Sequence, residues 1–128
     1  GICLMLKIGR KMRDIQASHM LPKMPHGHKC RNDHGHTYGV RVEVTGKEDE
    51  NGIIIDTGKL DEVFQYIFDT LDHRYLNDIP GLENPTTENL CKWIWDRMFK
   101  VIGDHPQIHK VGILVWESND SYGFYDGP

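Results

Sequence analysis

An element order of strands, two helices and a returning strand predicts an α+β domain, an antiparallel sheet with two helices packed on one face. Three observations carry that prediction. Residues 36–46 alternate strictly, residues 59–71 and a stretch beyond residue 84 follow helical periodicity, and residues 110–117 alternate again.

The elements follow in order. A long, less regular N-terminal strand is expected over roughly residues 5–19. In His36–Gly46, Tyr38, Val40, Val42 and Val44 share one face, while Thr37, Arg41, Glu43 and Thr45 share the other, which describes a half-buried strand. Glu48–Gly52 reads as a polar turn, and Ile53–Ile55 as a short apolar strand. From Lys59 to Leu71 the apolar residues Leu60, Val63, Phe64, Ile67, Phe68 and Leu71 form one helical stripe. The second helix carries its own punctuation, with Asn84 as N-cap, Pro85 at the first helical position and Gly103 past the end. Lys110–Glu117 returns to a strand with Val111, Ile113 and Val115 inward, and a last short strand is expected near Tyr122–Tyr125.

A chain of 128 residues fits one domain over 1–128, with residues 1–7 set aside as disordered or a cloning remnant because Gly1 stands in place of methionine. The opening Gly1–Leu6 is too short for a secretory h-region, and its basic residues follow rather than precede it. No apolar run approaches the ~20 residues that cross a bilayer. Nineteen acidic against fifteen basic residues leave a net charge of −4, which advertises no nucleic-acid surface. Three cysteines, an odd count, argue for a reducing, cytoplasmic setting over a disulfide framework. No dinucleotide fingerprint or Walker loop is present.

Five of the eight histidines lie between positions 19 and 36. His34 and His36 are two apart, so an extended chain points both imidazoles to the apolar side that Tyr38 and Val40 share. Two neutral imidazoles on a dry face suit a borderline metal such as zinc, and His19 supplies a third nitrogen if its strand pairs with this one. Cys30 leaves two arrangements open. It closes a structural tetrahedron with the histidines, or it stays a free thiol beside a three-histidine catalytic metal.

Asp72-His73 after the first helix forms a candidate oriented acid–base pair. Glu117 has the parity of the inward valines, so a carboxylate faces the buried side at a strand end. It serves either an internal salt bridge or a ligand presenting two N–H groups.

The runs Ala17-Ser-His19-Met-Leu-Pro22, Gly27-His-Lys-Cys30, His34-Gly-His36, Leu71-Asp-His73, Tyr75-Leu-Asn77, Pro85-Thr-Thr-Glu-Asn89 and Trp116-Glu117 resemble the 6-pyruvoyltetrahydropterin synthase superfamily. The likeness covers about residues 8–117, and the Cys-x3-His-Gly-His spacing is most similar to bacterial 6-carboxytetrahydropterin synthases of the queuosine pathway. The resemblance implies a tunnelling fold (T-fold), trimers or pairs of trimers with active sites between subunits, and 7,8-dihydroneopterin triphosphate as substrate. It implies zinc on His19, His34 and His36, Cys30 as proton acceptor and His73, oriented by Asp72, completing the relay. Glu117 would grip the pterin's amino edge, with Thr86 and Thr87 nearby. Products would be 6-carboxy-5,6,7,8-tetrahydropterin, acetaldehyde and triphosphate. A thiolate at Cys30 is expected beside Lys29, Arg31 and a cation. Lys23, Lys29 and Arg31 are candidates to meet the triphosphate. Asp56-Thr57 and Ile15 depart from the family pattern at positions of structural character, and Cys3 and Cys91 match nothing functional.

Overall fold

A computed structural model describes residues 5–128, so Cys3 lies outside the described residues. The spine is the long strand β3 (His34–Gly46), whose alternating valines and Tyr38 are fully buried. Strand β2 (Ile15–His19) pairs antiparallel with its first part and β1 (Leu6–Lys11) with its last. On the other side of β3 runs β5 (Ile108–Trp116), followed by β6 (Tyr122–Tyr125), both antiparallel. Helices α1 (Thr57–Leu71) and α2 (Thr87–Ile102) cover one face through Leu60, Phe64, Leu71, Leu90, Ile94 and Met98. Arg41 and Thr37 on the opposite face are exposed. The two-residue β4 (Arg74–Tyr75) joins β2 in parallel, a strand too short for any periodicity to reveal.

The expected N-terminal strand is broken, and the break matters. Lys11 pairs with Arg41 and Ile15 with Tyr38, so residues 12–14 occupy the interval that Gly39 and Val40 fill on β3. This one-residue bulge switches which parity faces the helices. Ile8 packs inward in β1, but Ile15, Ala17 and His19 do so in β2. β1 also takes in Leu6 and Lys7.

Three other expectations are corrected. Ile53–Ile55 is no strand, because Asp49 collects its donors. The Asp49 side chain accepts from Asn51 N and Ile53 N, and Asp49 N donates to Ile53 O, closing a turn that leaves Ile54 and Ile55 buried. Helix α2 starts at Thr87 with Thr86, not Asn84, as N-cap. The Thr86 hydroxyl accepts from Asn89 N at 3.1 Å and its carbonyl accepts from Leu90 N. Pro85 therefore precedes the helix, and its carbonyl is free for other use. Glu117 lies one residue past β5, at the mouth of the β5–β6 turn. Asp56 earns its place as N-cap of α1, accepting from Gly58 N at 2.9 Å.

Candidate active site

The bulge and the pairing of His19 with His34 bring His19, His34 and His36 together at the end of the sheet. Each offers a ring nitrogen within 4.8 Å of the others, and the rings meet edge to face with centroids 4.5–5.0 Å apart. Backbone carbonyls set two of the tautomers. His19 Nδ1 lies 2.8 Å from Pro85 O, and His34 Nδ1 lies 2.7 Å from Asn32 O. Both Nδ1 atoms must therefore carry the proton and donate, which leaves both Nε2 atoms as lone-pair acceptors. Those two Nε2 atoms face each other at 2.9 Å. Two acceptors so placed repel unless a cation lies between them.

His36 adds a third unsatisfied nitrogen. Its Nε2 is buried without a hydrogen bond, although Glu117 Oε1 is 3.1 Å away. Distance alone qualifies that contact as an ion pair, whereas its direction fails for a hydrogen bond. Burial lowers the pKa of His19 and of His36 below the ordinary imidazole value, with neighbouring imidazoles adding to the effect and Glu117 opposing it. Neutral rings with converging lone pairs fit a divalent metal, and Cys30 is not in the group. The buried Tyr38 hydroxyl lies 3.2 Å from His19 Nδ1, a contact the sequence reading missed although Tyr38 shares the face of His34 and His36.

Glu117 is engaged on both oxygens. Oε1 faces His36, and Oε2 accepts a 2.5 Å bond from the Thr87 hydroxyl. Thr86 is occupied in capping α2, so of the two threonines Thr87 alone turns toward the carboxylate. Asn77, also missed, clamps the residue after His19: its side chain accepts from Met20 N at 3.0 Å and donates to Met20 O at 2.9 Å.

Asp72 and His73 lie elsewhere. Asp72 ends α1, accepts from Gln16 N through Oδ1 and holds His73 Nδ1 at 2.7 Å through Oδ2. These bonds, that from Gln16 first, lower the Asp72 pKa below the ordinary carboxylate value. His73 takes a left-handed backbone (φ 57), uncommon outside glycine, with its side chain exposed. It lines a depression with Gln16, Ser18, Gly35, His36, Thr37 and Tyr75. Gln16 and Thr37 are bonded to each other on the face of the sheet opposite to that of the three imidazoles.

Cys30 is half-buried in a short turn at Lys29–Arg31, its N–H donating to His28 Nδ1. Arg31 holds the loop that presents it, donating to the carbonyls of Pro22 and Met24. Both bonds come from Nη1, so the guanidinium keeps its charge and its remaining N–H donors. Cys91 is buried in α2, where burial pushes its thiol up to about 11.

The family model described as 6-pyruvoyl tetrahydropterin synthase matches residues 8–128. The chain is 38% identical over 96 residues to the 6-pyruvoyl tetrahydrobiopterin synthase of Dictyostelium discoideum, covering 71% of this chain and 70% of that one. It is 35% identical over 106 residues to the 6-carboxy-5,6,7,8-tetrahydropterin synthase of Synechocystis, covering 78% and 79%. The structure of Caenorhabditis elegans 6-pyruvoyl tetrahydropterin synthase superposes with a TM-score of 0.82 at 26% identity, covering 98% and 97%.

Proposed function

Because the chain belongs to the 6-pyruvoyl tetrahydropterin synthase family of pterin lyases, we propose that it converts 7,8-dihydroneopterin triphosphate and water to 6-carboxy-5,6,7,8-tetrahydropterin, acetaldehyde and triphosphate. Its place would be the cytoplasm, in queuosine biosynthesis. The observation that carries the reading is the convergence of three imidazoles beside a buried-side carboxylate. The Cys-x3-His-Gly-His spacing and the Synechocystis relative favour the 6-carboxy product. The Dictyostelium relative favours a 6-pyruvoyl product as the second reading.

His19, His34 and His36 would hold zinc, which when bound acts as a Lewis acid toward the side-chain oxygens of the substrate. The remaining roles belong to the chain. Glu117 would bind the pterin's 2-amino and N3 edge, since each carboxylate oxygen has two lone pairs and Oε2 retains one after accepting from Thr87. Cys30 would accept a proton from the substrate side chain. His73, with Nδ1–H donated to Asp72, keeps Nε2 free to carry a proton at the solvent-facing side.

Asp72 ties His73 to Gln16, whose parity on β2 is opposite to that of His19, and His73 is not among the three converging imidazoles. The site would therefore be completed by another copy in a trimer or pair of trimers, with His73 supplied across the interface. Incubating zinc-loaded protein with dihydroneopterin triphosphate and identifying products by mass tests the reading. A 6-carboxy product with acetaldehyde is expected. A 6-pyruvoyl product selects the second reading, and no turnover leaves a noncatalytic pterin-binding module.

A further inference from the structure

Glu117 owes its position to the last short strand. Its backbone N–H donates to Ser121 O at 3.0 Å, which ties it to the turn leading into β6. Its carboxylate is held by Thr87, a residue only 7% exposed whose hydroxyl donates to Oε2. What holds Thr87 is Gly123 in β6. A Cβ at position 123 would lie 3.3 Å from Thr87 Cγ2 and 3.2 Å from Cys91 Sγ, closer than side chains ordinarily pack. The bare Gly123 backbone thus leaves a slot that the Thr87 methyl fills. With Cγ2 seated there, the stiff χ1 of a β-branched residue aims Oγ1 at Glu117.

We infer that Gly123 and Thr87 are positioning residues for the pterin anchor, with β6 acting as a rotamer lock that presents the Glu117 carboxylate in one fixed plane. The inference rests on the reading of Glu117 as that anchor. Two parallel hydrogen bonds to a pterin edge demand a fixed carboxylate plane, because rotation about the last bond of the glutamate breaks both together. A serine at 87 would keep the hydroxyl without the lock. A valine would keep the shape without the hydroxyl.

The test is titration of sepiapterin, a nonreacting pterin, into zinc-loaded protein, with zinc content and melting temperature measured on every variant. Thr87→Val should weaken binding about tenfold, the worth of one hydrogen bond to a charged acceptor, with zinc content unchanged. Gly123→Ala should weaken it comparably and lower the melting temperature. Thr87→Ser, which keeps the hydroxyl without the seated methyl and adds nothing at 123, should also weaken binding. Wild-type affinity in Thr87→Ser would overturn the lock, because an unlocked hydroxyl would then serve as well. A purely structural role would instead make affinity track the melting temperature across the three variants. Glu117→Gln is measured alongside. If Glu117→Gln weakens binding while Thr87→Val binds like the wild type, the lock is overturned and the anchor stands. If Glu117→Gln also binds like the wild type, anchor and lock both fall.

Discussion

The imidazole cluster and the Asp72–His73 pair place the same side chain in opposite settings. His19 is 1% exposed, and its Nδ1 proton is bound to a neutral carbonyl. The His73 side chain is 78% exposed, and its Nδ1 is bound to a carboxylate. A ring of the first kind is kept neutral by burial and offers its lone pair inward, as a metal ligand must. A ring of the second kind stays in reach of water with its Nε2 open, as a proton carrier must. What separates ligand from acid–base group is therefore the partner of Nδ1 and the access of Nε2, not the residue type.

The largest effect should come from separating the two regions genetically. His34→Ala and His73→Gln should each be inactive alone. Assembled together from a 1:1 mixture, they should regain about a quarter of the wild-type rate, the statistical share of sites drawing both intact halves from different copies. A mixture as inactive as its components would place both regions of each site in one copy.

Next in size is Cys30→Ala, which should retain its zinc and its fold yet lose about 10²–10⁴-fold in turnover, the usual worth of a general base. Loss of zinc in that variant, read by metal analysis, would transfer Cys30 to the ligand set and merge it with the cluster.

Asp72→Asn should cost less, about 10²-fold in turnover, since His73 remains but loses the partner that fixes its tautomer. Zinc content should not change. An equal loss of zinc would show that the two regions are not independent.

The smallest effect is a pH signature in the zinc-free protein. His19 and His36 have lowered values when folded, so the unfolded chain binds more protons once the pH falls below about 6.5. Stability from the cluster is complete above that pH and is lost as the pH falls through the folded values. Asp72 is lowered as well, but from the carboxylate range. Its contribution persists above about pH 3.9 and disappears only as the pH falls toward its folded value. Melting temperatures across pH should accordingly decline in two separate steps. His36→Ala should shrink the upper step and Asp72→Asn the lower, and a single step unaffected by either variant would refute the assignment.

The sequence by itself determined the parts that obey a local period. Alternation set the buried face of β3, the 3.6-residue stripe set α1, and the two-residue spacing of His34 and His36 aimed both rings at one side. Residue chemistry, parity and spacing supplied His19, Cys30, Asp72, His73 and Glu117 as candidates, and motif resemblance added the roles expected of them. Tertiary structure alone decided how they group. The bulge at residues 12–14 turns His19 inward, and no periodicity announces it, because a bulge is defined by the register of two strands rather than by either one. Pro85 can lend its carbonyl to His19, 66 residues away in sequence, because α2 starts after it with Thr86 as the cap. Gly123 reaches Thr87 through the packing of β6 on α2. Local chemistry is written residue by residue, whereas the partner of each nitrogen and the freedom of each rotamer depend on which distant backbone arrives beside it.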